Sequence, residues 1–130
     1  MDRPARWLVV GDLVVLLLFS AFGRAAHELQ LGLRGVLATA LPFTIAWFVV
    51  GSFTGAFRPA AYSSPGSAAG RVVLTNVISV PVAIVMRALW LSRPIPWTFL
   101  VVAFTTSLIL LLIWRVAFAL VWARRQAAEA

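Results

Sequence analysis

Four long runs of apolar residues, separated by short stretches of polar and turn-forming residues, dominate the chain. The runs extend approximately over residues 7–24, 36–57, 72–91 and 97–122. Crossing about 30 Å of hydrocarbon takes roughly 20 residues at the helical rise, so each run is long enough for a transmembrane helix, or close to it. The pattern predicts an all-α, integral membrane four-helix bundle that forms a single domain over residues 1–130.

The connections between the runs differ in composition. Residues 58–71 are rich in small and turn-forming residues, which predicts a flexible loop between the second and third spans. Pro94 and Pro96 predict a turn before the fourth span, because proline breaks a helix and withdraws a backbone donor. A cleavable signal peptide is the alternative interpretation of the first run, and Asp12 inside its apolar stretch argues against it.

The composition favours a membrane protein and narrows the chemistry. Apolar residues make up 62% of the chain and charged residues 12%, which leaves too few polar residues to cover a soluble globule. The absence of cysteine excludes disulfides, thiolate metal sites and thiol catalysis. The net charge of +7 comes from arginines dispersed at the ends of apolar segments, so we expect a lipid bilayer rather than nucleic acid as the partner.

The arginines near the span ends predict an orientation. More of them lie on the side of the two termini than on the opposite side, so the positive-inside rule predicts that both termini are cytoplasmic. The terminal side has Arg3, Arg6, Arg58, Arg71, Arg124 and Arg125, and the opposite side has Arg24, Arg34 and Arg93.

An inner polar layer is predicted around Asp12, because a charged residue in hydrocarbon normally faces other protein and has a partner or a function. Counted at the helical rise, Asp12 and Arg115 lie roughly 9 Å and 13 Å inside the terminal-side arginines, and Asn76 falls at a similar depth. We therefore predict an Asp12–Arg115 ion pair, completed by Asn76 and by Ser52 or Thr54. Two interpretations stay open: the pair fixes the packing of the helices, or it couples transport to a proton or ion.

A second, outer polar layer is predicted near the side of the membrane opposite to the termini. It consists of Arg24, His27, Glu28 and Arg87. A Glu28–Arg87 contact or a hydrogen bond from His27 would satisfy this layer, and two charged layers could also flank a permeation route. His27 is the only histidine, which excludes bis-histidine haem ligation within one chain, and we predict no cofactor and no metal site. A proton-sensing His27 is a further possibility, since imidazole titrates near neutral pH.

Backbone-directing residues also interrupt the spans. Pro42 and Pro81 each fall inside a span, where proline bends a helix, either as a packing kink or as a hinge. Gly51 and Gly55 are four residues apart, a spacing that predicts a face for close helix packing and is compatible with a dimer.

One further set of residues is spread over all four spans. It consists of Gly11-Asp12, Phe19, Gly23-Arg24 and His27 in the first span, Pro42-Phe43 and Trp47 in the second, Arg87-Ala88 in the third, and Trp114-Arg115 in the fourth. Together these residues resemble the bacterial and archaeal membrane family known as domain of unknown function 3054. The resemblance covers nearly the whole chain, implies the four-helix architecture and a bacterial or archaeal cytoplasmic membrane, and brings no activity with it.

Two classes of function agree with this sequence. An enzyme is not expected, because no nucleophile with a nearby base, metal-ligand cluster or phosphate-binding loop is evident. Proton-coupled or ion-coupled transport of a small solute would need a homodimer or larger assembly, since four short spans leave little room for a pore. A non-catalytic accessory or scaffold subunit of a membrane complex is the alternative.

Overall fold

Four helices form the bundle in the computed structural model, which describes residues 3–26, 33–92 and 97–129. Each helix packs against its neighbours in chain order, and the first closes the ring against the fourth. All four contain a segment that is long and apolar enough to cross a membrane, which confirms the predicted four-helix membrane bundle. The helices are α1 (Arg3–Ala26), α2 (Leu33–Thr54), α3 (Pro65–Leu91) and α4 (Trp97–Glu129).

One narrow face of each helix points into the bundle, and α4 illustrates the pattern. Its buried residues recur every fourth position, which keeps them on one side of the helix. Aliphatic side chains such as Val102 and Ile113 lie exposed on the other side, as expected for a helix that faces lipid. The buried set is Ala103, Ser107, Leu111, Arg115 and Ala119.

The segment 58–71 is mostly helical, so the prediction of a flexible loop there is wrong. A short 3-10 helix covers Pro59–Tyr62, and α3 begins at Pro65. The Ser64 hydroxyl accepts a hydrogen bond from the Ser67 N–H at 3.1 Å, and proline occupies the first turn, where its missing N–H costs nothing. The serines and prolines therefore start a helix rather than forming a loop.

The 3-10 helix covers the end of the bundle where the termini lie. Tyr62 is buried and makes edge-to-face contacts with Phe118 and Trp122 of α4, at ring-centroid distances of 5.8 and 5.9 Å. Such aromatic pairs hold the connection against α4 through burial and ring electrostatics.

The C-terminus of α2 ends in a left-handed turn at Gly55, which has a φ of 79°. The Ala56 N–H donates to the Gly51 carbonyl at 2.9 Å, which is the hydrogen bond of a Schellman cap. The prediction that Gly51 and Gly55 form one helical packing face is therefore wrong, because Gly55 lies beyond the end of α2. A Cβ at Gly51 would lie 2.7 Å from the ring of Phe57, so Gly51 makes space for the connection itself.

The two intrahelical prolines lie inside continuous helices. Pro42 is buried within α2, and Pro81 is exposed on the outer face of α3. Neither proline ends its helix, and the hinge interpretation stays a prediction.

Candidate functional site

The structure brings Asp12 of α1 and Arg115 of α4 together in a bidentate ion pair. Arg115 Nε donates to Asp12 Oδ1 at 2.9 Å, and Nη2 donates to Oδ2 at 2.6 Å. Both side chains are at most 1% exposed. The parallel arrangement of two N–H groups on two oxygens is the strongest geometry available to this pair, and charge assistance strengthens each bond.

Two tryptophans complete the surroundings of the Asp12 carboxylate. Trp47 Nε1 of α2 donates to Oδ2 at 2.8 Å, and Trp114 Nε1 of α4 donates to Oδ1 at 3.1 Å. Each oxygen thus accepts two hydrogen bonds, which uses about all of the acceptor capacity of a carboxylate. Asp12 is therefore saturated by donors from two other helices.

Arg115 has a further partner at the end of α2. Its Nη1 donates to the Ala56 carbonyl at 2.7 Å. The guanidinium also lies near the rings of Trp47 and Phe57, with Cζ 5.7 and 5.3 Å from their centroids. The left-handed conformation of Gly55 precedes this carbonyl, so the α2 cap places a backbone acceptor beside Arg115. One charge network therefore connects α1, α2 and α4.

Gly55→Ala is expected to lower the free energy of unfolding by about 1–2 kcal/mol, the cost of a Cβ in the left-handed region. The added Cβ meets no atom closer than 3.5 Å, so backbone conformation and not overlap causes the loss. Denaturation of the purified protein in detergent, followed by circular dichroism, measures the change.

Gly70→Ala is the matched control for this variant. Gly70 is exposed within α3, and a Cβ there meets no atom within 4 Å, so this change is expected to gain about 0.5–1 kcal/mol of helix stability. An equal response of the two variants would contradict the role of the left-handed cap.

Close approach of α1 and α4 at the site depends on Gly11. A Cβ built on Gly11 would overlap the indole ring of Trp114. The missing side chain therefore lets this ring lie across α1, where its Nε1 reaches the carboxylate of the following residue, Asp12.

Asn76 does not join the ion pair as predicted. Its Nδ2 donates to the Phe104 carbonyl at 3.3 Å, and its Oδ1 accepts from the Ser107 hydroxyl at 3.3 Å. Ser107 lies roughly 12 Å along α4 from Arg115 at the helical rise. The depth estimate failed because it took Arg71 as the start of the third span, whereas α3 starts at Pro65.

Ser52 and Thr54 are likewise absent from the ion pair. The exposed Ser52 hydroxyl donates to the Phe48 carbonyl of its own helix at 2.7 Å. The Thr54 hydroxyl pairs with that of Thr75 at 2.7 Å and so connects α2 to α3. Arg71 adds a second connection by donating from Nη1 to the Thr54 carbonyl at 2.5 Å.

The outer layer is only partly described by the structure. Arg87 lies over the ring of Phe99, with Cζ 5.0 Å from the centroid. The side chain of Arg24 and the whole of His27 and Glu28 lie outside the described residues. The predicted contacts of Glu28 and His27 with Arg87 therefore stay predictions.

Sequence reasoning assigned no role to four members of the site: Gly11, Trp47, Ala56 and Trp114. A membrane-embedded carboxylate needs donors besides one arginine, and indole N–H groups within apolar spans are obvious suppliers. That requirement could have directed attention to Trp47 and Trp114. The Ala56 carbonyl belongs to the backbone, so no side chain indicates its role. Gly55, as a possible helix cap, is the only sequence feature that points to it.

Among known protein families, the one described as "Protein of unknown function (DUF3054)" matches residues 9–118 of the chain. The matched region contains Asp12, Arg115 and their indole and carbonyl partners. No curated protein matches the chain, and no solved structure does.

Proposed function

The chain belongs to this DUF3054 family, and from its own geometry we propose that it is a non-catalytic accessory or scaffold subunit of a membrane complex. Its buried charges then serve to fix the arrangement of the helices and to present a defined outer surface to the partner. This proposal assigns the Asp12–Arg115 network a structural task.

The observation that carries the proposal is the saturation of Asp12. Four donors fill the carboxylate at 2.6–3.1 Å, which leaves no acceptor for a solute or for a water chain. Within the described part of the chain, every buried side-chain nitrogen and oxygen has a hydrogen-bond partner. A fully paired network specifies one packing of the helices and needs no ligand to complete it.

Coupled transport of a small solute by an oligomer is the second candidate, and one observation favours it. Trp114 donates to Asp12 and also lines a cavity between α1 and α4, so a molecule in that cavity would touch a partner of the carboxylate. Transport requires Asp12 to exchange its donors during the cycle, which is a larger rearrangement than the accessory function requires.

The proposed location is the cytoplasmic membrane of a bacterium or archaeon, with both termini in the cytoplasm. Four crossings would leave the two termini on the same side, and six arginines near the span ends on that side, against three on the other, support a cytoplasmic location of the termini.

The two functions are separated by one pair of measurements on the tagged protein and its Asp12→Asn and Ser52→Ala variants. Extraction from native membranes in mild detergent, followed by quantitative mass spectrometry, identifies proteins that co-purify with the tagged chain in a fixed ratio. Reconstitution into liposomes with an enclosed pH-sensitive dye measures proton flux. Ser52 is the control, since it is exposed and outside the charge network.

If the chain is an accessory subunit, we expect one partner protein to co-purify with the wild type and with Ser52→Ala but not with Asp12→Asn. We also expect no proton flux above that of empty liposomes. An assembly of this chain alone, with a flux that Asp12→Asn abolishes and Ser52→Ala leaves intact, would contradict the proposal and favour transport.

A further inference from the structure

A cavity of about 690 Å³ lies between the N-terminal part of α1 and the C-terminal part of α4. Its volume is in the range of small-ligand sites, ~300–1,000 Å³. Four of its eight lining residues are aromatic, and both charged lining residues are arginines. Its aromatic and charged lining residues are Arg3, Trp7, Trp114, Phe118, Trp122 and Arg125, and Pro4 and Val121 complete the lining.

We propose that this cavity, the α1–α4 groove, binds one molecule of an anionic glycerophospholipid. The phosphate lies between Arg3 and Arg125, and an acyl chain follows the aromatic wall toward Trp114. The inference is independent of the accessory function proposed above, because it concerns a lipid and not a protein partner.

Charge complementarity selects an anionic occupant. Arg3 is exposed at the N-terminus of α1, and Arg125 is exposed in the last turns of α4. Guanidinium groups pair well with phosphate oxygens, and each basic residue near a membrane surface adds to the attraction for anionic lipid. Soluble anions would not use the apolar wall that adjoins the two arginines.

The wall of the groove suits a chain-bearing molecule. Trp7 is 63% exposed, which is costly in water and normal where an indole meets the interface of a bilayer. Trp114 and Phe118 continue the apolar surface from there along α4, with ring centroids 5.7 Å apart. A lipid fits both the charged rim and the aromatic interior.

A second cavity of about 630 Å³ adjoins the groove. The two cavities share Pro4 and Trp122, and the second also has Ser63 and Gln126 in its wall. These side chains offer donors and acceptors to the hydroxyl groups of a glycerol head group. Phosphatidylglycerol is therefore the probe of choice.

Occupation of the groove stabilises the bundle through Trp114. Because this ring lines the groove and donates to Asp12, a lipid packed on it holds the indole in the position that the charge network needs. A ligand that binds only the folded state stabilises it by RT ln(1 + [L]/Kd), so the melting temperature rises with the concentration of the lipid.

The test measures retention of 1-palmitoyl-2-oleoyl-phosphatidylglycerol by the delipidated full chain in detergent, using native mass spectrometry. The variants are Arg3→Gln/Arg125→Gln and the control Arg124→Gln, whose exposed arginine adjoins Arg125 but does not line the groove. We expect one retained lipid in the wild type and the control, and roughly twenty-five-fold weaker retention in the double variant, from about fivefold for each arginine.

The melting temperature gives a second readout. Phosphatidylglycerol is expected to raise it in the wild type and in Arg124→Gln but not in the double variant, and phosphatidylcholine is expected to raise it in none. Equal retention by the double variant, equal retention of phosphatidylcholine, or displacement of the lipid by inorganic phosphate at similar concentration would each overturn the proposal.

Discussion

Asp12→Asn is expected to lower the free energy of unfolding by about 3–5 kcal/mol, because it leaves the buried Arg115 guanidinium without its counter-charge. The asparagine amide also cannot accept all the hydrogen bonds that the carboxylate accepts. Each Asp12 oxygen accepts two N–H donors, so the NH2 group of asparagine faces two donors whichever way it turns.

Arg115→Met is expected to cause a loss of similar size. It keeps an apolar side chain in the core but leaves the carboxylate with only its two indole donors and removes the hydrogen bond to the Ala56 carbonyl. Titration with denaturing detergent, followed by circular dichroism, measures both variants. Ser52→Ala serves as the control and is expected to change stability by less than about 0.5 kcal/mol. A loss below about 1 kcal/mol for both charge variants would contradict a structural role of the pair.

Gly11→Ala is expected to lower the free energy of unfolding by about 1–3 kcal/mol, a typical cost of overpacking a close-packed core. The added methyl group would overlap the Trp114 ring, so the ring must move and its hydrogen bond to Asp12 must lengthen or break. Separation of α1 from α4 is the alternative response, and it weakens the Asp12–Arg115 pair as well.

Gly23→Ala is the matched control on the same helix. A Cβ at Gly23 meets no atom within 4 Å, so this substitution is expected to be neutral or to stabilise α1 slightly through higher helix propensity. Replacing the tryptophans other than Trp47 and Trp114 with phenylalanine limits the fluorescence of both variants to the two indoles that donate to Asp12, and a shift in that emission reports the displacement of the Trp114 ring. An unchanged emission spectrum in Gly11→Ala would show that the ring does not rest on this glycine.

The main features of the fold could be predicted from the sequence because the bilayer limits the alternatives. Apolar runs of sufficient length must be helices in lipid, where every backbone polar group needs an internal partner. The same argument predicted that Asp12 needs a partner, and the helical rise brought Arg115 to a similar depth. The structure places these two side chains in contact.

The details that failed depend on where the helices start and stop. Ser64-Pro65 is compatible with a loop, but serine before proline is also a typical helix start. Because α3 begins there and not at Arg71, Asn76 lies deeper in the bundle than the sequence predicts. The spacing of Gly51 and Gly55 predicts a helical packing face, whereas the left-handed conformation of Gly55 ends α2. In both cases one residue type suits two local structures, and only the packing around it decides between them.

The sequence predicts that the Asp12 carboxylate needs further donors, but it does not predict which tryptophans supply them. Trp47 and Trp114 lie on different helices, and bringing their Nε1 atoms to one carboxylate depends on helix rotation and on the missing side chain of Gly11. Such long-range geometry follows from the whole bundle and not from spacing along one span.

A double-mutant cycle measures how far Asp12 and Arg115 stabilise the bundle through each other. The unfolding free energies of the wild type, Asp12→Asn, Arg115→Met and the double variant give the coupling between the two residues. We expect a coupling of about 2 kcal/mol, by which the loss in the double variant is smaller than the sum of the single losses, because the double variant leaves no buried charge without its partner. Additive losses, within about 0.5 kcal/mol, would contradict it.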